Sequence, residues 1–150
     1  GNVFVPRLLV ITDESLFLRR YLLWWSVICL LGFVIMMFVW IYPDELLFLL
    51  GKSYSGLHSE LLVVTATAVV GAWGGFAWNI SRSRGWIKYH SYSVPVTIIC
   101  QIAMFYVLDF SSTQDVLLFG LGTLSIGFLY QLITNTFGLY NSYYRSKITK

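Results

Sequence analysis

The chain contains 150 residues, of which 57% are apolar and only 11% are charged. A soluble globular domain carries about 25% charged residues, so this composition excludes a fully water-facing surface and indicates a protein whose first partner is the lipid bilayer. The formal net charge is +3. Because the bases lie at the ends of apolar segments, where they meet anionic lipid, we expect no nucleic-acid partner.

Four apolar segments predict an all-α, polytopic membrane fold with four transmembrane helices. They cover about residues 21–42, 61–80, 93–110 and 116–139. A helix crosses the hydrocarbon core with about 20 predominantly apolar residues, so each segment is close to the required length. The chain is therefore predicted to be a single membrane domain, 1–150. Residues 1–10 would form the end of a preceding helix, and residues 140–150 a cytoplasmic tail.

The distribution of positive charge predicts the topology. With four spans, every Lys and Arg except Lys52 falls on one side of the membrane: Arg7, Arg19, Arg20, Arg82, Arg84, Lys88, Arg145, Lys147 and Lys150. Positive charge in short loops is retained on the cytoplasmic side during insertion. We therefore expect a multi-pass protein of the cell (cytoplasmic or inner) membrane with both termini in the cytoplasm.

Helix-start signals flank the first span. Thr12-Asp13-Glu14 offers a cap and an acid for the positive end of a helix. After the span, Pro43-Asp44-Glu45 predicts a second, short helix that ends at Gly51 and lies along the outer surface. The chain begins at Gly1, not at Met, so we expect the C-terminal piece of a longer protein; a small protein freed from a tag is the alternative.

The second span carries small residues at regular intervals. Thr67, Gly71 and Gly75 recur every four positions, a spacing that lets another membrane helix approach closely. We predict that they serve helix packing and that Gly75→Leu disrupts association; lining a substrate path is the alternative. Residues 81–90 follow as a basic inner hairpin.

Four neutral amides are the polar candidates inside the spans, which contain no ionised side chain at mid-membrane. They are Asn79, Gln101, Gln131 and Asn135. Their first possible role is interhelical hydrogen bonding. The second is to line a hydrophilic cavity that contacts a sugar, for which neutral amides are well suited.

The residues of the usual active sites are scarce. Cys29 and Cys100 lie within apolar spans and are expected to be free thiols, not a disulfide or metal pair. His58 and Glu60 share the outer loop, where solvated side chains are a better interpretation than an acid–base pair. We therefore predict no catalytic residue, no metal ligand and no cofactor, and we do not expect an enzyme.

The order of several weak motifs resembles the polysaccharide flippases of the multidrug/oligosaccharidyl-lipid/polysaccharide exporter superfamily. The motifs are Val3-Phe4-Val5-Pro6-Arg7, then Leu49-Leu50-Gly51-Lys52-Ser53-Tyr54, then the small-residue span and basic loop of Val63–Lys88. Their order and spacing agree with the family over nearly the whole chain.

The resemblance implies that this chain is the last third of a roughly twelve-span transporter and belongs to its C-terminal helical lobe. Such a transporter would flip lipid-linked oligosaccharide or polysaccharide precursors by alternating access. Its partners would be the missing N-terminal helices and the lipid-linked glycan. The alternatives are a self-contained four-span structural or accessory protein, a membrane-bound transferase domain, and a drug or cation exporter of the same superfamily.

Overall fold

A computed structural model describes residues 14–51, 54, 56–86, 91–108 and 110–148. Within these ranges, the side chains are described from residue 16 to residue 142. Its elements are α1 (Glu14–Ile41), α2 (Pro43–Leu50), α3 (His58–Ser83), α4 (Ser93–Val107) and α5 (Thr113–Ile148). The predicted all-α class is confirmed for these residues. The Val3–Arg7 motif, the helix-start signal at Thr12 and Asp13, and Lys52 and Lys88 lie outside the described residues.

Three of the described helices are long and apolar enough to cross a bilayer. Their apolar parts are Leu16–Ile41 in α1, His58–Ser83 in α3 and Thr113–Ser142 in α5. These helices indicate a membrane protein. The predicted third span corresponds to α4, which has 15 residues. That length gives about 22 Å, less than the roughly 30 Å of the hydrocarbon core, so the count of four spans stays a prediction.

The short helix α2 confirms the predicted helix start at Pro43 and its end at Gly51, while its position along the outer surface stays a prediction. Pro43 occupies the first turn together with Asp44 and Glu45, where a missing amide and negative charge are both favourable. Gly51 ends the helix with a φ of 111°, and its N–H donates to the carbonyls of Leu47 and Phe48. That positive φ favours glycine because it has no Cβ.

The helix directions follow from which residues meet. α3 and α5 form the most extensive pair and run parallel, because Gly71 lies opposite Leu124, and Ala77, six positions later, is hydrogen-bonded to Asn135. In contrast, α1 runs antiparallel to α3. Trp25 of α1 contacts Phe76, and Gly32 lies against Val69 and Trp73. The helix α4 is antiparallel to α5, because Met104 packs at Gly122 while Tyr92 lies beside Phe137.

Charge divides the bundle into two ends. The described basic side chains share the end where α1 begins and α3 finishes: Arg19, Arg20, Arg82 and Arg84. The described acidic side chains lie on α2 and in the first turns of α3 and α5: Asp44, Glu45, Glu60 and Asp115. We call these the basic end and the acidic end. The helix α5 includes the predicted tail as far as Ile148. Its 36 residues extend about 54 Å, so it continues past the basic end.

Candidate functional site

An aromatic layer closes the basic end of the bundle. Phe17 and Tyr21 of α1 are buried against Ile80 of α3. The Phe17 ring stacks on Tyr21 at 6.0 Å between centroids and meets the edge of Trp86 at 6.5 Å. Trp86 in turn lies directly on Gly138 of α5, where no side chain stands in the way. One aromatic layer therefore connects α1, the end of α3 and α5.

A cluster of three buried polar side chains lies beside this layer, between α3 and α5. Ser81, Gln131 and Asn135 are 1%, 4% and 1% exposed. The Gln131 amide donates to the Ser81 hydroxyl, and that hydroxyl donates to the Asn135 carbonyl oxygen. The Asn135 amide donates to the Ala77 carbonyl oxygen at 3.1 Å. We call Ser81, Gln131 and Asn135 the amide cluster.

Helical spacing explains why these groups meet. Gln131 and Asn135 are four residues apart and share one face of α5, while Ala77 and Ser81 have the same spacing on α3. Ala77 and Ser81 are small, so the two backbones approach closely enough for an amide of α5 to reach a carbonyl of α3. Buried polar groups in an apolar environment need partners, and each member of the cluster has one.

The four predicted amides have different surroundings. Gln131 and Asn135 are brought together, and their contacts are those of interhelical hydrogen bonding. Gln101 is half-buried on α4, away from this cluster. Asn79 is exposed, and its amide donates to the Gly75 carbonyl of its own helix at 2.9 Å. Whether any of the four lines a cavity in a larger assembly stays a prediction.

Ser81 is the functional candidate that the sequence did not reveal. The sequence pattern predicts it at the start of the inner hairpin, but it lies in the last turn of α3. The available signal was its position four residues after Ala77, which continues a line of small residues on the helix. Without the opposite helix, that line predicts close packing and does not indicate an amide partner.

The predicted packing residues also differ in their surroundings. A Cβ at Gly71 would lie 3.6 Å from Leu124 of α5, so Gly71 is at the α3–α5 contact. Thr67 is half-buried and donates its hydroxyl to the Val63 carbonyl at 2.7 Å. Gly75 is exposed, and a Cβ there would have no neighbour within 4 Å. Any close packing at Gly75 would therefore need a helix beyond the described residues.

At the acidic end, His58 does not pair with Glu60. His58 Nε2 lies 2.8 Å from Asp44 Oδ1, which links the first turns of α2 and α3. Glu60 accepts a hydrogen bond from the Ser59 hydroxyl at 2.9 Å. Cys29 and Cys100 are free thiols. In the described part of the chain, no group of three or more His, Cys, Asp and Glu side chains could hold a metal.

Open grooves cross the outside of the described bundle, and two of them are relevant here. The first, which we call the α1–α3 groove, has a volume of about 180 Å³; its lining includes Ile28, Leu31, Gly32 and Ile35 of α1 and Ala68 and Ala72 of α3. The second has about 360 Å³ and lies between the start of α4 and α5, beside Tyr92, Tyr130, Ile133, Thr134 and Phe137. Both grooves are lined mostly by apolar side chains and open outward.

The hydrogen bonds of the amide cluster suit it to helix alignment. The Ser81 proton is directed at an amide oxygen, which is not a base, so the arrangement does not activate the hydroxyl as a nucleophile. The hydrogen bonds instead hold α3 and α5 at a defined rotation and axial position.

No protein-family model, curated protein or solved structure matches the chain.

Proposed function

We propose that this chain is part of a membrane transporter that flips lipid-linked oligosaccharide or polysaccharide precursors across the cytoplasmic membrane by alternating access. The observation that supports this proposal best is that α3 and α5 pack in parallel. The helix α4, which follows α3 and precedes α5 in the sequence, runs antiparallel to α5. The motif order that resembles the flippase superfamily supplies the substrate class. The chain would contribute the last four spans of the C-terminal lobe.

The parallel pair favours a four-span topology. If α3 and α5 both cross the membrane in the same direction, the chain between Ser83 and Thr113 must return to the opposite surface. The only described helix in that interval is α4. Residues 91–92 and 108–112 extend its reach at both ends. This arrangement would place the start of α1 and the end of α5 together at the basic end, which we assign to the cytoplasm.

The packing also leaves room for the rest of a transporter. Few residues in the apolar segments of the three long helices are buried within this chain: 11% in α1, 11% in α3 and 6% in α5. The open side of α3 includes Gly75 and the amide of Asn79, which suit a neighbouring helix better than lipid. We expect further helices of the transporter to cover part of this surface.

A labelling experiment tests the topology. In a background with Cys29→Ala and Cys100→Ala, single cysteines at Ser53 or Ser112 should react with a membrane-impermeant maleimide added outside intact cells. Cysteines at Ser83 or Ser142 should react only after the membrane is opened. Labelling of Ser112 and Ser83 from the same side would contradict the return of the chain through α4.

Transport itself is tested on the complete gene product in proteoliposomes. A polyprenyl-diphosphate oligosaccharide with a fluorescent glycan is placed in both leaflets, and a lectin added outside measures the accessible fraction over time. We expect this fraction to rise faster than in protein-free vesicles. An unchanged rate would exclude flipping of this substrate class, and export of a cationic dye in the same vesicles would favour the drug or cation exporter.

A further inference from the structure

The packing of the bundle is uneven along its length. Most of the described buried side chains lie toward the basic end: Phe17, Tyr21, Ala77, Ile80, Ser81, Gln131, Thr134 and Asn135. At the other end, residues 33–41 of α1 are all described, and only Val39 among them is buried. Val39 is seven residues after Gly32 and about 20° around the helix, so it continues the line along which α1 meets α3. We call residues 33–41 the acidic-end segment of α1.

Open space flanks this line of contact on both sides. The α1–α3 groove follows one side. A larger groove of about 420 Å³, which we call the three-helix groove, follows the other side. It is lined by Phe33, Met36, Met37 and Trp40 of α1, Leu62, Val63 and Ala66 of α3, and Leu121 of α5. Few buried contacts within the chain therefore oppose a tilt of the acidic-end segment.

The short helix α2 is a direct extension of this segment. Tyr42 alone separates α1 from α2, and its N–H donates to the Phe38 carbonyl at 3.0 Å. The N–H of Leu46 in α2 donates in turn to the Tyr42 carbonyl at 3.3 Å. Backbone hydrogen bonds thus continue from α1 into α2, so a movement of the end of α1 must carry α2 with it.

A contact between side chains fastens α2 to α3. His58 Nε2 lies 2.8 Å from Asp44 Oδ1, and the two side chains are 48% and 81% exposed. A carboxylate only accepts hydrogen bonds, so Nε2 is the donor whether the imidazole is neutral or charged. Because water reaches both partners, the contact can open without leaving a buried polar group unpaired. Leu47 of α2, which is 4% exposed, is buried at the same end of the bundle.

The chain after α2 is suited to a hinge. Gly51 and Gly56 have φ values of 111° and 101°, and a Cβ at either position would have no neighbour within 4 Å. Glycine adopts positive and negative φ with similar ease, and hinges are often formed by a few small residues that absorb the backbone change. At these two positions, α2 can therefore change its direction relative to α3 without a steric clash.

We propose that α2 is a strap that holds the acidic-end segment of α1 against α3, and that the contact between His58 and Asp44 is its latch. When the latch opens, α2 turns about Gly51 and the segment tilts away from α3, with the contact between Gly32 and Trp73 as the pivot. The tilt widens the three-helix groove. This inference does not depend on transport, because every contact that it uses lies within the chain.

Distances between spin labels measure the tilt. The complete gene product with Cys29→Ala and Cys100→Ala is placed in nanodiscs, and double electron–electron resonance is recorded. One sample carries labels on cysteines that replace Ile41 and Val116 at the acidic end. A second sample carries them in place of Leu22 and Ile133 toward the basic end, and all four positions are exposed. We expect two distances for the acidic-end pair, a shorter one for the closed strap, and one distance for the basic-end pair.

The latch is tested by removing each partner. Asp44→Ala and His58→Ala should each raise the ratio of the longer to the shorter distance about threefold, the effect of an exposed ion pair with good geometry. Glu45→Ala removes a neighbouring acid from the same turn of α2 and should change the ratio less than about 1.5-fold. The double variant Asp44→Ala/His58→Ala should match the single variants, since no contact remains for the second substitution to remove.

Three results would overturn the proposal. A single distance for the acidic-end pair, unchanged in every variant, would show that the segment does not tilt. Equal changes in Asp44→Ala and Glu45→Ala would assign the effect to acidic charge in general. Equal changes in both label pairs would show that α1 moves as a whole and has no pivot. Circular dichroism confirms the fold of each variant, and if Asp44→Ala does not fold, the contrast between His58→Ala and Glu60→Ala still decides.

Discussion

Asn135→Leu should lower the free energy of unfolding in detergent micelles by about 2 kcal/mol. The substitution keeps a similar side-chain volume but removes the acceptor of the Ser81 hydroxyl and the donor to the Ala77 carbonyl. Asn135 is 1% exposed, so lipid and water cannot replace these partners. The buried Ser81 hydroxyl would then lose its acceptor and keep only the hydrogen bond from the Gln131 amide. Reversible unfolding followed by circular dichroism measures the change.

The matched control is Asn79→Leu on α3. Asn79 is exposed, and its amide binds a carbonyl of its own helix, so the same change of side chain removes no contact between helices. We expect its effect to stay within about 0.5 kcal/mol. If both variants lose the same stability, the amide cluster does not hold α3 against α5, and the cost comes from the loss of an amide in general.

The second large effect is expected at Gly32, where α1 crosses α3. A Cβ at this position would lie 2.8 Å from both the Trp73 ring and a methyl group of Val69. The Trp73 ring is held by its hydrogen bond to the Ile28 carbonyl at 3.2 Å, so it is not free to move away. Gly32→Leu should therefore separate the two helices and cost about 1–3 kcal/mol through overpacking. Unfolding in micelles measures the loss of stability.

Gly75→Leu is the control for this prediction, because it is the same change at another glycine within a membrane-length helix. Gly75 has open space around it, so the chain itself should tolerate leucine and gain up to about 1 kcal/mol of helix propensity. A destabilised Gly75 variant would contradict the arrangement of α3. A variant that folds normally but loses transport in the complete protein would show that Gly75 packs against a helix elsewhere in the transporter.

Gly71 and Gly75 illustrate why the spacing of small residues alone does not identify the face of α3 that packs against α5. Thr67, Gly71 and Gly75 recur every four residues, but an α-helix has 3.6 residues per turn, so each step of four rotates about 40°. After two steps, Gly75 has moved off the face that meets α5. Gly74, Ala77 and Ser81 continue that face instead, with Gly74 beside Phe128.

Composition and local pattern were sufficient for the properties that depend on neighbouring residues. The apolar lengths predicted membrane helices, and Pro43 and Gly51 predicted the bounds of α2. The charge pattern predicted one basic side, and the described arginines share one end of the bundle. These properties are local because partition into a bilayer, helix capping and charge placement depend on a short stretch of chain.

Only the tertiary structure decided which side chains meet across helices. The sequence offered four amides of equal standing, and the packing joined Gln131 and Asn135 to Ser81, while Asn79 remained on an open face. It also placed Arg84 on the Phe17 ring, although 67 positions separate them. These contacts depend on the rotation and axial position of whole helices. The rotation and axial position of a helix are set by the packing of many side chains from several helices, so they cannot be read from one short segment of sequence.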